Sequence, residues 1–280
     1  MDHGRVAVDG HRLHYVAAGQ ETDRAPAVCL HGGIVDAAAL SWGGVIADLA
    51  ADRRVIALDL LGYGESDRPA DADYSTAAHT DRLLGTLDAL GVDRAVPVGL
   101  SLGGALALGA AFEAPERVAK LVLVDSHGLG APVPGGRLTY LLSRVDAPNE
   151  AVMALLARSR RATRASLDDI VADPDRLDEA VVDRLYDLVR RDYAGRAFRE
   201  WRREAVTWNG YRTDFSDRLD ELAVPTLLVH GERDEVVPVP VARRAARRIP
   251  EATLRVFEAC AHWPPRERPE AFVETVREWW

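Results

Sequence analysis

"AVPVGLSLGGALALGAAF" runs from Ala95 to Phe112 and carries no charged residue. It falls just short of the roughly twenty apolar residues that a bilayer-crossing helix needs. Pro97 near its start and Gly99, Gly103 and Gly104 in its middle would each weaken a continuous helix. "AVPVGL" reads instead as a short buried strand and "LGGALALGAAF" as a helix. Gly99-Leu100-Ser101-Leu102-Gly103 lies at the junction and has the form G-x-S-x-G. Small residues two before and two after the serine let strand and helix approach across a tight turn. Ser101 then stands at the strand's end, beside a helix N-terminus that favours developing negative charge.

Outward from this junction the same alternation repeats. "RVAVDG" and "RLHYVAAG" alternate with period two about Asp9-Gly10 and read as an antiparallel hairpin. "AVCLHGG" and "RVIALDLLGYGESD" are apolar runs that leave through glycine-rich loops, with "SWGGVIADLAAD" helical between them. A helix over Ser75–Leu90 and a strand over Ala119–Asp125 complete the first half. Buried strands alternating with helices imply an α/β fold, a mostly parallel sheet with helices on both faces. After Asp125 the rhythm breaks. Residues 126–222 offer no convincing strand: a Gly/Pro-rich "HGLGAPVPGG" leads into helical stretches at 150–164, 177–191 and 196–207. Alternation resumes with "PTLLVHGERD", a helix over Val241–Ile249, "ATLRVFE" and a helix over Pro269–Trp280. The expected organisation is a core of residues 1–125 and 223–280 interrupted by a helical cap at 126–222.

Composition narrows the partners. The 280 residues are 48% hydrophobic and 28% charged, ordinary for a globular enzyme-sized domain. A net charge of −9, with Lys120 the only lysine, disfavours nucleic acid or an anionic membrane as the main partner and leaves a small-molecule substrate. The N-terminus lacks the basic-then-apolar pattern of a secretory signal, and no window reads as a spanning helix. Cys29 and Cys260 read as two reduced thiols, and a cytoplasmic location is expected. The eight histidines include no HxxxH, and the cysteines are not at ligand spacing, so neither a metal nor a cofactor is expected.

The chain resembles the α/β-hydrolase fold superfamily over essentially its whole length. The likeness rests on the N-terminal hairpin, "HGG" at 31–33, "DLLGYGES" at 59–66, "GLSLG" at 99–103, "HGERDEVVP" at 230–238 and "AHWPPRERPEAF" at 261–272, all in the family's order. It implies an eight-stranded-type sheet with an inserted α-helical cap, and a nucleophile–acid–histidine order along the chain. Ser101, Asp234 and His262 fit that order. His262 would take the Ser101 proton, and Asp234 would fix the imidazole tautomer. Asp125, at the end of "LVLVDS", is the alternative acid. The backbone N–H groups of Gly33 and Leu102 would form the oxyanion hole. Trp263 and His127 are candidate pocket residues, while Asp59 and His31 are expected to organise loops.

A serine at the elbow points away from the branches that use a carboxylate nucleophile. The expected activity is that of a carboxylesterase-like hydrolase, acting on a small to medium ester through an acyl-enzyme. The "HGG" loop and Trp263 are also similar to hydrolases that cleave carbon–carbon bonds in vinylogous diketone acids. That is the second reading, ranked lower because Ile34-Val35-Asp36 stands where that branch carries a longer glycine/proline run. A low-turnover ligand receptor or an acyltransferase on the same fold stays open beside both.

Overall fold

The computed structural model describes residues 1–191 and 195–280. Strands β1 (Asp2–Val8) and β2 (His11–Ala18) form the expected hairpin. It turns through Asp9 at φ 52° and Gly10 at φ 74°, the left-handed pair that a two-residue hairpin turn requires. Strands β3 (Ala27–Leu30), β4 (Val55–Leu58), β5 (Val96–Leu100) and β6 (Leu121–Val124) are buried along their whole lengths. That pattern belongs to strands covered on both faces. Helices α1 (Ala38–Ser41), α2 (Ile46–Leu49), α3 (Thr76–Ala89) and α4 (Leu102–Glu113) join them.

Next come α5 (Arg137–Ser143), α6 (Ala147–Arg158), α7 (Arg160–Ala165), α8 (Glu179–Val189) and α9 (Arg196–Ala205). A short hairpin follows, β7 (Val206–Thr207) with β8 (Gly210–Tyr211). The chain returns to the sheet with β9 (Thr226–Gly231), α10 (Val239–Arg248), β10 (Ala252–Phe257), α11 (Pro264–Glu267) and α12 (Pro269–Trp279). The eight-stranded sheet has the order β1-β2-β4-β3-β5-β6-β9-β10. Only β2 runs antiparallel to its neighbours; from β4 to β10 every pairing is parallel.

Each face of the sheet buries its own apolar layer. One joins the sheet to α3, α4 and α10 through Leu83, Leu87, Leu106 and Val241. The other joins it to the α1–α2 region and α12 through Trp42, Leu49, Phe272 and Val276. The opening stretch is thus strand, turn and a twelve-residue helix, all inside this core. No helix among the described residues is long and apolar enough to cross a membrane.

Three local expectations are corrected. The helix expected in "SWGGVIADLAAD" is broken into α1 and α2 around Gly43-Gly44. There the Arg266 guanidinium reaches in to donate to Leu40 O (2.5 Å) and Ala39 O (2.9 Å), and a Cβ on Gly44 would lie 2.7 Å from it. The stretch 150–164 is interrupted at Ser159, which is extended (φ −142°, ψ 105°) and caps α7 by accepting the Ala162 N–H at 3.1 Å. The third stretch ends at Ala205, because Val206–Thr207 pairs with Gly210–Tyr211 as the strand that sequence reading did not find.

Candidate active site

The elbow is as tight as its composition requires. A Cβ on Gly99 would lie 2.3 Å from Gly103 O, and one on Gly103 would lie 2.4 Å from Leu30 O. Ser101 itself takes φ 53° and ψ −114°, a conformation costly for any residue with a side chain. Its N–H donates to Val124 O at 2.9 Å, so the neighbouring strand fixes the turn.

The three residues expected to act together do meet. Ser101 Oγ donates to His262 Nε2 at 2.9 Å, and His262 Nδ1 donates to Asp234 Oδ2 at 2.8 Å. Asp234 lies in the loop after β9, where its Oδ1 accepts the N–H groups of Val236 (2.8 Å) and Val237 (2.9 Å). Burial alone would raise its carboxyl, but the hydrogen bond and charge of His262, with the Val237 N–H, hold it below the usual range. The alternative acid is also present. Asp125 is fully buried at the end of β6, with Oδ1 accepting the Gly231 N–H at 2.9 Å. Asp125, Asp234 and His262 each bring one donor atom within 4.8 Å of the others. A metal ion between them would have to break the His262–Asp234 hydrogen bond, so the cluster fits a proton relay better than a ligand set.

Gly33 and Leu102 both line the cavity beside Ser101. The Gly32 N–H is taken by Asp36 Oδ2 at 2.8 Å, and this turns the "HGG" loop toward the serine. Ser41 Oγ donates to Asp36 (2.7 Å) and accepts the Trp263 Nε1–H (3.0 Å), so one hydrogen-bond chain ties the loop to the residue after His262. His31 and Asp59 organise loops as expected. His31 Nδ1 faces Gly32 O at 2.8 Å while its Nε2 accepts the Leu60 N–H at 3.1 Å. Asp59 accepts from Ala38 N, Glu65 N and His14 Nδ1.

Above Ser101 and His262 lies a cavity of about 260 Å³. Trp263 and His127 line it as expected, together with residues of the helical segment between β6 and β9, among them Met153, Leu156, Ile170, Leu185 and Phe198. Neither Arg nor Lys lines it among the described residues. Burial, then the charge of His262, pushes the His127 imidazole down to about 4, so it faces the cavity uncharged at neutral pH.

Sequence reading missed the supports of the histidine loop. Glu267 accepts the N–H groups of Ala261 (3.0 Å), Trp263 (3.1 Å) and Ala172 (2.7 Å), and the His262 N–H donates to Ile170 O at 2.8 Å. Glu267 stands inside the motif at 261–272, but Ala172 and Ile170, which it and His262 bond, lie far off along the chain.

Known proteins resemble this chain over most of its length. The 2-hydroxymuconate semialdehyde hydrolase of Pseudomonas putida is 35% identical over 226 residues, 80% of this chain and 75% of its own. The 2-hydroxy-6-oxo-2,4-heptadienoate hydrolase of Pseudomonas putida F1 is 29% identical, covering 98% of this chain and 95% of its own. The structure of the 2-hydroxy-6-oxo-6-phenylhexa-2,4-dienoate hydrolase from Rhodococcus sp. RHA1 superposes with a TM-score of 0.81 at 25% identity, covering 99% of this chain and 97% of that one.

These relatives overturn the first functional expectation. They are named as hydrolases of 2-hydroxy-oxo-dienoate compounds, not of esters, and support the reading that was ranked second. The ranking had rested on the missing glycine/proline run. The loop makes its left-handed turn without one, at Ile34 with φ 60°, so the absence of glycines there does not bar the geometry. The family model described as the alpha/beta hydrolase fold matches residues 26–269, from the residue before β3 to the first residue of α12, and the chain belongs to that family.

Proposed function

We propose that this chain hydrolyses a carbon–carbon bond in a small vinylogous diketone acid of the 2-hydroxy-6-oxo-dienoate class. The supporting observation is the serine–histidine–aspartate relay at the floor of a largely apolar cavity, in a chain whose relatives carry those names. In this reading His262 takes the Ser101 proton as Oγ bonds to the ketone carbon, and the Gly33 and Leu102 N–H groups receive the oxyanion. The adjacent carbon–carbon bond then breaks, its electron pair passing into the conjugated chain, which accepts the proton from His262. Water, deprotonated by the same imidazole, releases the acyl group from Ser101. Asp234 steadies the imidazolium in both halves. The helical segment acts as the cap, and its apolar side chains receive the substituent on the ketone.

The test is a direct comparison of substrates. 2-Hydroxymuconate semialdehyde, 2-hydroxy-6-oxo-2,4-heptadienoate and the 6-phenyl compound would be offered alongside p-nitrophenyl acetate and butyrate. Loss of dienoate absorbance with kcat/KM above that for either ester is expected. Ester turnover with the dienoates untouched would overturn the reading.

A further inference from the structure

Two buried carboxyl groups share one small volume behind His262, and only one of them has a role in the relay. Asp125 is fully buried, and one oxygen of each carboxyl lies within 4.8 Å of the other. Its Oδ1 is satisfied by the Gly231 N–H at 2.9 Å, whereas Oδ2, equally buried, finds no hydrogen-bond donor among the described residues. Asp234 already accepts from His262, Val236 and Val237. An unpartnered carboxylate oxygen at such a place would carry an uncompensated charge.

Among the described residues no Arg or Lys is paired with it. His230 lies between the two carboxyls, 3.4 Å from Asp125 and 3.5 Å from Asp234, but burial pushes its imidazole down. Its Nε2–H is directed at Val237 O (2.7 Å), which leaves a lone pair on Nδ1 facing Asp125. Glu267 adds a further negative charge nearby, and Cys260 is a buried thiol pushed up by its surroundings. His127, on the cavity side, is uncharged. His262 must be neutral to accept the Ser101 proton. Burial, then repulsion from Asp234, pushes the Asp125 carboxyl well above the ordinary carboxylate range.

We propose that Asp125 is a positioning residue that keeps a proton and donates it to Asp234 in an O–H···O hydrogen bond, so that the pair carries a single negative charge. The two candidates for the acid are then not rivals. Asp234 is the ionised member that faces His262, and Asp125 is the neutral member that holds Asp234 and limits its basicity. Retention of the proton follows from the buried geometry alone. Its effect on turnover rests on His262 being the base.

A protonated carboxylic acid and a carboxamide are nearly isosteric, and both donate. Infrared difference spectra between the wild type and Asp125→Asn, in deuterated buffer at neutral pH and without substrate, should show a protonated-carboxyl C=O stretch in the wild type alone. Absence of that band would overturn the proposal. Should Asp125→Asn fail to fold, a wild-type spectrum with no protonated-carboxyl band at neutral pH would still overturn the proposal, and a band that survives in Asp36→Asn would support it. In folded Asp125→Asn, kcat/KM should stay within about threefold of wild type, because one neutral donor has replaced another. The acid limb of its pH profile should not move. If Asp125 were ionised, removing its charge would shift that limb downward by about one unit, and that outcome would also overturn the proposal. If instead Ser101→Ala retained turnover, the catalytic reading would fall, while the infrared band would still decide where the proton lies.

Discussion

The α/β core and the helical segment between β6 and β9 solve different problems with different materials. In the core, four successive strands from β3 to β6 are wholly buried, and Ser101, Asp234 and His262 sit on loops at the sheet's edge. In the helical segment, Leu138, Leu141, Val152 and Leu155 remain exposed, and charge pairs such as Arg160–Asp183 lie on the surface. Yet the segment touches the chemistry, through the Ile170 O bond to the His262 N–H and through Phe198 against Gly33. The reacting groups are held by the wholly buried part, and much of the cavity wall comes from the part that leaves more of its apolar side chains exposed.

The comparison is tested hardest where the core's role is absolute. Ser101→Ala should lower kcat by about 10⁴-fold or more with circular dichroism unchanged, and residual turnover above that level would move the chemistry elsewhere.

A smaller effect separates the regions by pH. Burial, then the charge of Arg82, pushes His79 on α3 down to about 3, and His127 beside the cavity is held near 4. In the unfolded chain both titrate near 6.5, so the unfolded state takes up protons first as the pH falls. The stability present above pH 6.5 is therefore lost progressively, down to about pH 4 for His127 and about pH 3 for His79. Inside its window each histidine contributes a slope of about 1.4 kcal/mol per pH unit. Urea unfolding at pH 6.5, 5.5 and 4.5 should show the decline, and His79→Gln should flatten it. If core and helical segment unfold separately, only the core transition should respond to that substitution.

Phe198→Ala probes the wall. It should raise KM about tenfold while changing kcat little, since it removes apolar contact without touching the relay. An equal fall in kcat would mean that the segment also aligns the reacting groups. The smallest effect belongs to the surface. Arg160→Ala breaks its pairs with Asp183 (2.6 Å) and Glu179 (2.5 Å), but these are exposed, and the loss should stay below about 1 kcal/mol in urea unfolding.

The same contrast decides what was legible in the sequence. Core strands announce themselves as short apolar runs, and the glycines at 99 and 103 mark the only conformation that lets β5 meet α4. Ser101, Asp234 and His262 were readable because each stands in a local motif. The Glu267–Ala172 bond spans 95 residues and the Trp263–Ser41 bond spans 222, and contacts between such distant positions leave no pattern in either stretch. The cavity wall was hidden for another reason. Val152, Met153 and Leu156 line the cavity while Leu155 is exposed outside it, and apolar residues side by side on one helix do not declare which of them faces a substrate. Substrate class was misranked because it depends on that wall and on a loop whose turn is made at Ile34 without glycine.

The backbone at Ser101 has a consequence for thermal endurance. A residue with a side chain held at φ 53° and ψ −114° stores about 1–3 kcal/mol, which folding must supply from elsewhere. Glycine tolerates that conformation, at an entropic cost of about 0.5–1 kcal/mol in the unfolded chain. Ser101→Gly should therefore melt a few degrees above the wild type while having lost its activity, a comparison that scanning calorimetry can make. The protein is expected to be more heat-resistant without its nucleophile than with it, so variants selected for heat resistance alone would tend to lose the serine.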